Sequence, residues 1–507
     1  MAMSNTSILS TTTLLPTKFN HYPMPQQIIL AYGLLAVLIS IVHAIGRKAI
    51  ISRIASSLFL VGQLGLTLAV IRFAGATPFG FFTFDSFAII FLSVGTLIAV
   101  AAFCHSRRYI VEEEGRQDSL VRAQYFAALT ALTAAVSFAV LSADMAVTWI
   151  FVEVTTLSAS ALIFYRRTPG AVEATWKYVF ACSISLVLVY VGILFASLSM
   201  GSAESEGVSY AALTTLLASL DPFWLKMAFI FVFVGYTAKM SLVPMFTAGI
   251  DAKDKAPTPA AAMLSSVVMN AGFAGFYRFY AIVSHTSIAH WASSITLFTG
   301  LLSVFIAAVY LVRVNNVKRL FAYSSVEHMG IVMIGLAAGG VGVYAAILHL
   351  VLHSLAKSAV FFHISNFYRV FGSKHISHMG QYIERTPVGG AFLILALLCI
   401  TAMPPSGLFL TEFIVFKSLA DTSSWLSLAL LMIVLCVIVW AISRDVLAIL
   451  FLAPKHTASH KAVIETNPPV IETFWQFTLL LLSIWLGLFT PDWLQKLILE
   501  ATSLVLQ

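Results

Sequence analysis

Apolar runs of about twenty residues follow one another along almost the whole chain, each long enough to cross the hydrocarbon core of a bilayer as a helix. Lipid offers no partner to a backbone N–H or C=O, so such a segment must close its own hydrogen bonds, and a helix does this locally. Fourteen spans are read: 27–45, 50–73, 83–104, 123–141, 145–165, 175–200, 223–247, 257–283, 290–313, 320–338, 341–368, 387–418, 424–443 and 470–498. With 60% hydrophobic and only 10% charged residues among 507, no part of the chain reads as a water-soluble domain. The expected fold is an all-α polytopic membrane protein. The four cysteines (Cys104, Cys182, Cys399, Cys436) lie inside apolar runs with no CxxC pair and read as small core residues. Residues 1–26, rich in Ser, Thr and Pro, read as a short external tail, with no cleaved signal peptide.

Basic residues test the count. Most of the 29 Lys and Arg fall in the loops after spans 1, 3, 5, 7, 9, 11 and 13: for example Arg47 and Lys48, Arg107 to Arg122, Arg166 to Lys177, Lys253 and Lys255, Arg313 to Arg319, Arg369 to Arg385, and Arg444 to Lys461. The opposite loops hold only Lys18, Arg72, Lys226 and Lys496. The positive-inside rule then puts both termini on the non-cytoplasmic side of a cell membrane. The net charge of +7 is a product of these loops and calls for no nucleic-acid partner.

Four basic residues remain within spans: Lys239, Arg278, Lys357 and Lys417. Arg278 and Lys417 sit toward span ends, where a long side chain can reach the interface; Lys239 and Lys357 are too central for that. The carboxylates Glu153 and Glu412 are equally deep, and Glu327 lies near a span start. In "AAILHLVLHSLAKSAVFFHIS", His349, His353 and Lys357 recur at i, i+4 and i+8, one helix face over about 12 Å. An ionisable residue at mid-bilayer costs on the order of 2.5–3.5 kcal/mol and marks function. The plain alternative is a buried Glu153–Lys239 ion pair that only fixes packing. Three titratable groups in one stripe, beside Ser354 and Ser358, suit a path for protons better. Pro244 near Lys239, and Pro404 and Pro405 before Glu412, break spans 7 and 12, which lie five spans apart. That offset reverses orientation, so spans 4–8 and 9–13 are expected to be inverted repeats. The chain divides accordingly into a tail (1–26), spans 1–3 (27–122), a first repeat (123–283), a second repeat (290–443) and a closing loop with span 14 (444–507).

The segments "WIFVEVTTLSASALI", "EATWKYVFACSISLVLVYVGI", "FVGYTAKMSLVPM", "APTPAAAMLSS", "NVKRLFAYSSVEHMGIVMIG", "HLVLHSLAKSAVFF" and "MPPSGLFLTEF" together resemble the antiporter-like subunits of respiratory complex I and its relatives, most nearly the F type of hydrogenase-4. The resemblance implies fourteen core helices and a proton path at mid-membrane depth. It assigns Glu153 and Lys239 to the pair that modulates a first half-channel, Lys357 with His349 and His353 to the bridging stripe, and Glu412 to the far exit. Lys177, His328 and Asn270 are expected to support them, Asn270 standing where several relatives carry a lysine. One segment departs: where the family reads close to "HTWLPDAHSEAP", this chain has "FTAGIDAKDKAP" at 246–257, which alters the cytoplasmic mouth.

The expected function is proton translocation as one membrane subunit of a hetero-oligomeric complex related to complex I and energy-converting hydrogenases. The alternatives are a subunit of an inorganic-carbon uptake complex or of a Na⁺/H⁺ antiporter, with Na⁺ the other candidate ion. A stand-alone secondary transporter ranks behind both. With no GxGxxG, P-loop, cysteine cluster or haem motif, cofactors are expected to belong to the partners.

Overall fold

The computed structural model describes residues 24–46, 48–75, 80–113, 119–201, 208–455 and 470–506. The N-terminal tail up to residue 23 lies outside them, as do Lys18, Arg47, Arg116 and Lys461. Residues 24–26, read as tail, already belong to the first helix.

Twenty α-helices follow in order: α1 (Met24–Ile45), α2 (Ala49–Arg72), α3 (Ser86–Glu113), α4 (Ser119–Leu141), α5 (Met145–Phe164), α6 (Pro169–Ser199), α7 (Tyr210–Thr215), α8 (Pro222–Met240), α9 (Thr247–Lys255), α10 (Thr258–Ser265), α11 (Val267–Val283), α12 (Ala289–Leu311), α13 (Val317–Ala338), α14 (Val341–Phe371), α15 (Tyr382–Arg385), α16 (Pro387–Ile400), α17 (Gly407–Asp421), α18 (Trp425–Phe451), α19 (Val470–Leu488) and α20 (Asp492–Leu506). Twelve are long and apolar enough to cross a membrane, counting α10 and α11 as one. The pair α19 and α20, bent by 75°, adds a thirteenth. The expected twelfth span comes as two short helices, α16 and α17, parted at residues 401–406. Span 7 is broken as expected, at residues 241–246. Span 8 is also broken, at Ser266, where no proline or glycine announces it.

Helix starts follow the local sequence. Asp144 accepts hydrogen bonds from the backbone N–H groups of Ala146 and Val147 to begin α5. Thr168 and Asp221 cap α6 and α8, each with proline at the next position, where no N–H is needed. Asn316 caps α13. α8 ends at Ser241 in the left-handed region (φ 57°), and α14 ends at Gly372 (φ 61°), the usual stop for a helix.

Short bridges between loops sort the two faces. Phe82 pairs with Ser142 and Asp144 with Ser209, joining the connections before α3, α5 and α7. Asn316 pairs with His375, joining the connections before α13 and after α14. The first group comes from the basic-poor loops and the second from the basic-rich ones, as strict alternation of the spans requires.

α10, α11 and α14 are wholly or almost wholly buried and form the centre, while α1, α2 and α18 turn rows such as Leu30, Leu34, Ile54, Leu58, Leu426 and Ile433 outward, as lipid-facing helices do. In the α1–α4 bundle Gln63 donates to Thr96 (2.8 Å) and Ser137 (3.1 Å) and accepts from Tyr32, so its amide is satisfied out of water. Where α17 crosses α19, a Cβ on Gly487 would stand 2.0 Å from the Cα of Gly407, so the two backbones touch and only glycine fits. Gly487→Leu is expected to force the helices apart at a cost of roughly 1–3 kcal/mol, read as a lower thermal midpoint in detergent. An unchanged midpoint would contradict that crossing.

Arg278, read as able to reach the interface from near its span end, runs inside the bundle to Asp85, the part-exposed residue just before α3. It is buried against Asp85 (Nη1–Oδ2 2.5 Å) and the Val140 carbonyl (3.2 Å), because α11 is central and has no lipid face to snorkel along. Lys417 is exposed, in keeping with the interfacial reading.

Candidate functional site

Polar side chains run through the centre of the bundle, from α5 to α17. At one end Lys239, on the last turn of α8, is 3% exposed. Its Nζ donates to Thr155 Oγ1 and Tyr178 OH (3.2 Å each) and lies 5.2 Å from the Tyr178 ring centroid. Glu153 does not grip it. The expected direct ion pair is absent among the described residues, since the carboxylate accepts from Ser183 of α6 (3.1 Å) and Thr156 of its own helix (3.2 Å). Thr155 and Glu153 are two positions apart on α5 and so face different sides, and the hydroxyl takes the contact. Gly272 of α11 makes room for this lysine: a Cβ there would stand 2.6 Å from Lys239 Cβ.

Lys253, which the sequence places in a basic loop, is 1% exposed, with Nζ donating to Ser241 Oγ (3.0 Å) and close to Met269 Sδ (3.5 Å). Its helix, α9, folds back into the bundle because α8 stops in the left-handed turn at Ser241. A cavity of about 10 Å³, room for one water, touches both Lys239 and Lys253.

Beyond it lies a hydroxyl and amide layer. Asn270 and Ser354 exchange hydrogen bonds (3.0 and 3.1 Å), Ser358 donates to Ser266 (2.9 Å), and Ser265 meets Ser325 (3.1 Å). The break at Ser266 sets these hydroxyls facing α14. Lys357, 1% exposed, donates to Ser324 Oγ and the Phe321 carbonyl (3.3 Å) of α13. Glu327, also on α13 and 2% exposed, keeps one carboxylate oxygen without a hydrogen-bond partner and is near enough for its charge to act on Lys357.

The stripe on α14 continues as expected to His353 and His349. His328 of α13 lies 3.1 Å (Nδ1) from His349 Nε2, its other nitrogen 3.1 Å from the Ile400 carbonyl. His349 Nδ1 lies 2.8 Å from Thr411 Oγ1. Glu412 Oε1 is 4.0 Å from His328 Nδ1. Ile400, Thr411 and Glu412 flank the break between α16 and α17, so proline placement does bring the acid to the histidines. Glu412 also forms part of the wall of an open, mostly apolar groove of about 780 Å³ that runs between α17 and α18 to Ser443 and Arg444.

Lys177 is the residue that the structure sets apart. It is half-exposed and pairs with Glu173 (2.5 Å) and Asp251 (3.9 Å) at the face of the basic loops. There the departing segment 246–257 carries a charge knot. Asp251 binds Arg319 (2.6 Å), and Asp254, 4% exposed, collects Lys374 (2.6 Å), Asn316 (2.9 Å) and Arg319 (3.5 Å). Sequence reading misses Lys253, Asp254 and the importance of Glu327. The signal available for Lys253 is its place between the span 7 break and the buried "APTPAAAMLSS", which leaves α9 little room to reach solvent.

Residues 142–439 match the family model described as NADH:quinone oxidoreductase/Mrp antiporter, TM. The chain is 32% identical over 369 residues to a hydrogenase-4 component F homolog of Methylacidiphilum infernorum, covering 72% of this chain and 76% of that one. It is 26% identical to NADH-quinone oxidoreductase subunit N of Chlorobium chlorochromatii over 88% of this chain and 87% of that one. In fold it resembles a chain of the Mrp complex from Dietzia sp. (TM-score 0.81, 17% identity, 96% of this chain and 98% of that one). It also resembles a chain of respiratory complex I from Thermus thermophilus (TM-score 0.74, 17% identity, 92% and 98%).

Proposed function

The chain belongs to the NADH:quinone oxidoreductase/Mrp antiporter membrane family, and from that membership and the buried polar line we propose that it moves protons as one subunit of a multi-subunit membrane complex. The observation that carries the reading is the continuity of titratable and hydroxyl groups from Lys239 through Lys253, Lys357 and the histidines to Glu412, with every titratable member at most 7% exposed. Amines and imidazoles dominate that line, whereas a hard Na⁺ ion needs a cage of oxygens.

The steps follow from the contacts. With Glu153 turned to Ser183 and Thr156, Lys239 is held by neutral oxygens alone. A charge stripped of water and lacking a counter-ion is unfavourable, so Lys239 gives its proton to a water in the adjoining cavity, and the water passes one to the Lys253 amine. When Glu153 swings toward Lys239, the restored ion pair favours the protonated amine and draws the next proton in. From Lys253 the proton crosses the Asn270, Ser354, Ser358 and Ser266 layer by water to Lys357, and then by His353, His328 and His349 to Glu412. Each transfer requires donor and acceptor within one water of each other. Lys177, with Glu173 and Asp251, lies at the entrance.

The broken spans, parted at 241–246 and 401–406, favour two inverted five-span repeats with the path at their shared depth. The basic-rich loops favour a cytoplasmic face at Lys177 and Asp254, with both termini on the opposite side. Lys239→Ala is expected to lower proton movement in vesicles carrying the whole complex by roughly 10²-fold while the complex still assembles. Full activity in that variant would refute the assignment.

A further inference from the structure

The hydrogen bonds at the end of the line leave an electron-rich pocket. His328 Nε2 faces the Ile400 carbonyl, which can only accept, so this nitrogen carries the hydrogen and Nδ1 presents a lone pair. Thr411 Oγ1 lies 2.9 Å from the Leu408 carbonyl, to which it can donate, and 2.8 Å from His349 Nδ1, from which it can then accept; that tautomer frees the His349 Nε2 lone pair for a cation. His328 Nδ1 and His349 Nε2 face each other at hydrogen-bond distance (3.1 Å), sharing one hydrogen that a bound cation would replace. Glu412 Oε1, buried and without a hydrogen-bond partner, is 4.0 Å from His328 Nδ1. The three donor atoms lie within 4.8 Å of one another. Both ring nitrogens of His353 are also buried without a hydrogen-bond partner, and its ring centroid is 5.2 Å from that of His328.

We propose that His328 Nδ1, His349 Nε2 and Glu412 Oε1 form a binding site for a borderline divalent transition-metal cation of the Zn²⁺ class, with His353 or a water as fourth ligand. Two imidazoles and one carboxylate are a known donor set for tetrahedral Zn²⁺, with ligand distances of about 2.0–2.2 Å. Such ligands stand roughly 3.3 Å apart around a tetrahedral ion, so the pocket closes onto it with small side-chain shifts. The outer shell is in place: His328 donates its other nitrogen to the Ile400 carbonyl, and the other nitrogen of His349 lies 2.8 Å from Thr411 Oγ1, which can accept from it as in established zinc sites. Of the three ligands, Glu412 is the one that also lines the groove between α17 and α18 reaching Ser443 and Arg444. A bound cation would take the lone pairs that protons use, so the site is one of inhibition. That consequence rests on the proposed proton path, whereas the binding itself does not.

The test uses the purified complex, stripped with chelator and titrated with Co²⁺ as a spectroscopic stand-in. One equivalent with the visible bands of four-coordinate cobalt is expected, lost in both His349→Gln and Glu412→Gln and kept in His363→Gln, whose ring pairs with Gln476 elsewhere in the bundle. Equal uptake by all four proteins, or a cluster that takes up a proton but no metal, would overturn the site. If the variants fail to assemble, X-ray absorption on the wild-type complex decides: two imidazoles and oxygen in the cobalt shell support the proposal, and sulfur ligation overturns it. Metal binding with undiminished proton movement would leave the site standing and remove the histidines from the path.

Discussion

Lys357→Met is expected to lower proton movement by roughly 10²-fold or more without unfolding the protein. Among the described residues Lys357 has Ser324 and one carbonyl as hydrogen-bond partners, and methionine fills a similar length, so the rate is compared at equal assembly, which shows that the nearby Glu327 tolerates the change. The loss therefore reports on the path alone. Lys357→Arg separates charge from titration: guanidinium keeps the charge but does not release its proton, so it too should block movement. If Arg restored the wild-type rate, Lys357 would act as a fixed charge and the relay would be wrong at its centre.

The second large effect is expected at Asp254. Its side chain, 3% exposed, sits among Lys374, Arg319, Lys255 and the Asn316 amide. Asp254→Ala leaves those cations facing one another with nothing between them. Removing one partner of a buried ion pair costs about 3–5 kcal/mol, and the partial exposure of Lys374 (23%) and Arg319 (37%) reduces this to roughly 2–4 kcal/mol here. Because Asp254 follows Lys253 on α9, the same change should also displace the amine beside it. The measurement is the thermal midpoint in detergent together with the transport rate. Both should fall. A stable, active Asp254→Ala protein would mean that the knot does not hold α9.

The departing segment 246–257 shows how far sequence alone can go. Its residues are legible as a change at the face of the basic-rich loops, yet not as a helix with one buried lysine and one buried aspartate. Local hydropathy marks "TAGIDAKDK" as polar, and only the tertiary fold reveals that α6, α10 and α13 surround it. The α14 stripe is fully legible, because helical spacing fixes a face and the partners on α13 and α17 only have to meet it. Glu153 and Lys239 both lie on helices long and apolar enough to cross a membrane, but they do not pair, since which hydroxyl intervenes depends on helix rotation that spacing does not specify. That Arg278 runs to Asp85 through protein has a related reason: its nearness to a span end is plain in the sequence, but the centrality of α11 is not visible in its composition.

The most direct test is made in vesicles that carry the complete complex, with an imposed K⁺ diffusion potential and a pH-sensitive dye in the lumen. Wild-type protein should change the lumenal pH with no Na⁺ present, and the Lys239→Ala and Lys357→Met proteins, assembled to the same level, should leave the dye silent. A response in either variant equal to that of wild type would contradict proton transfer along the buried line.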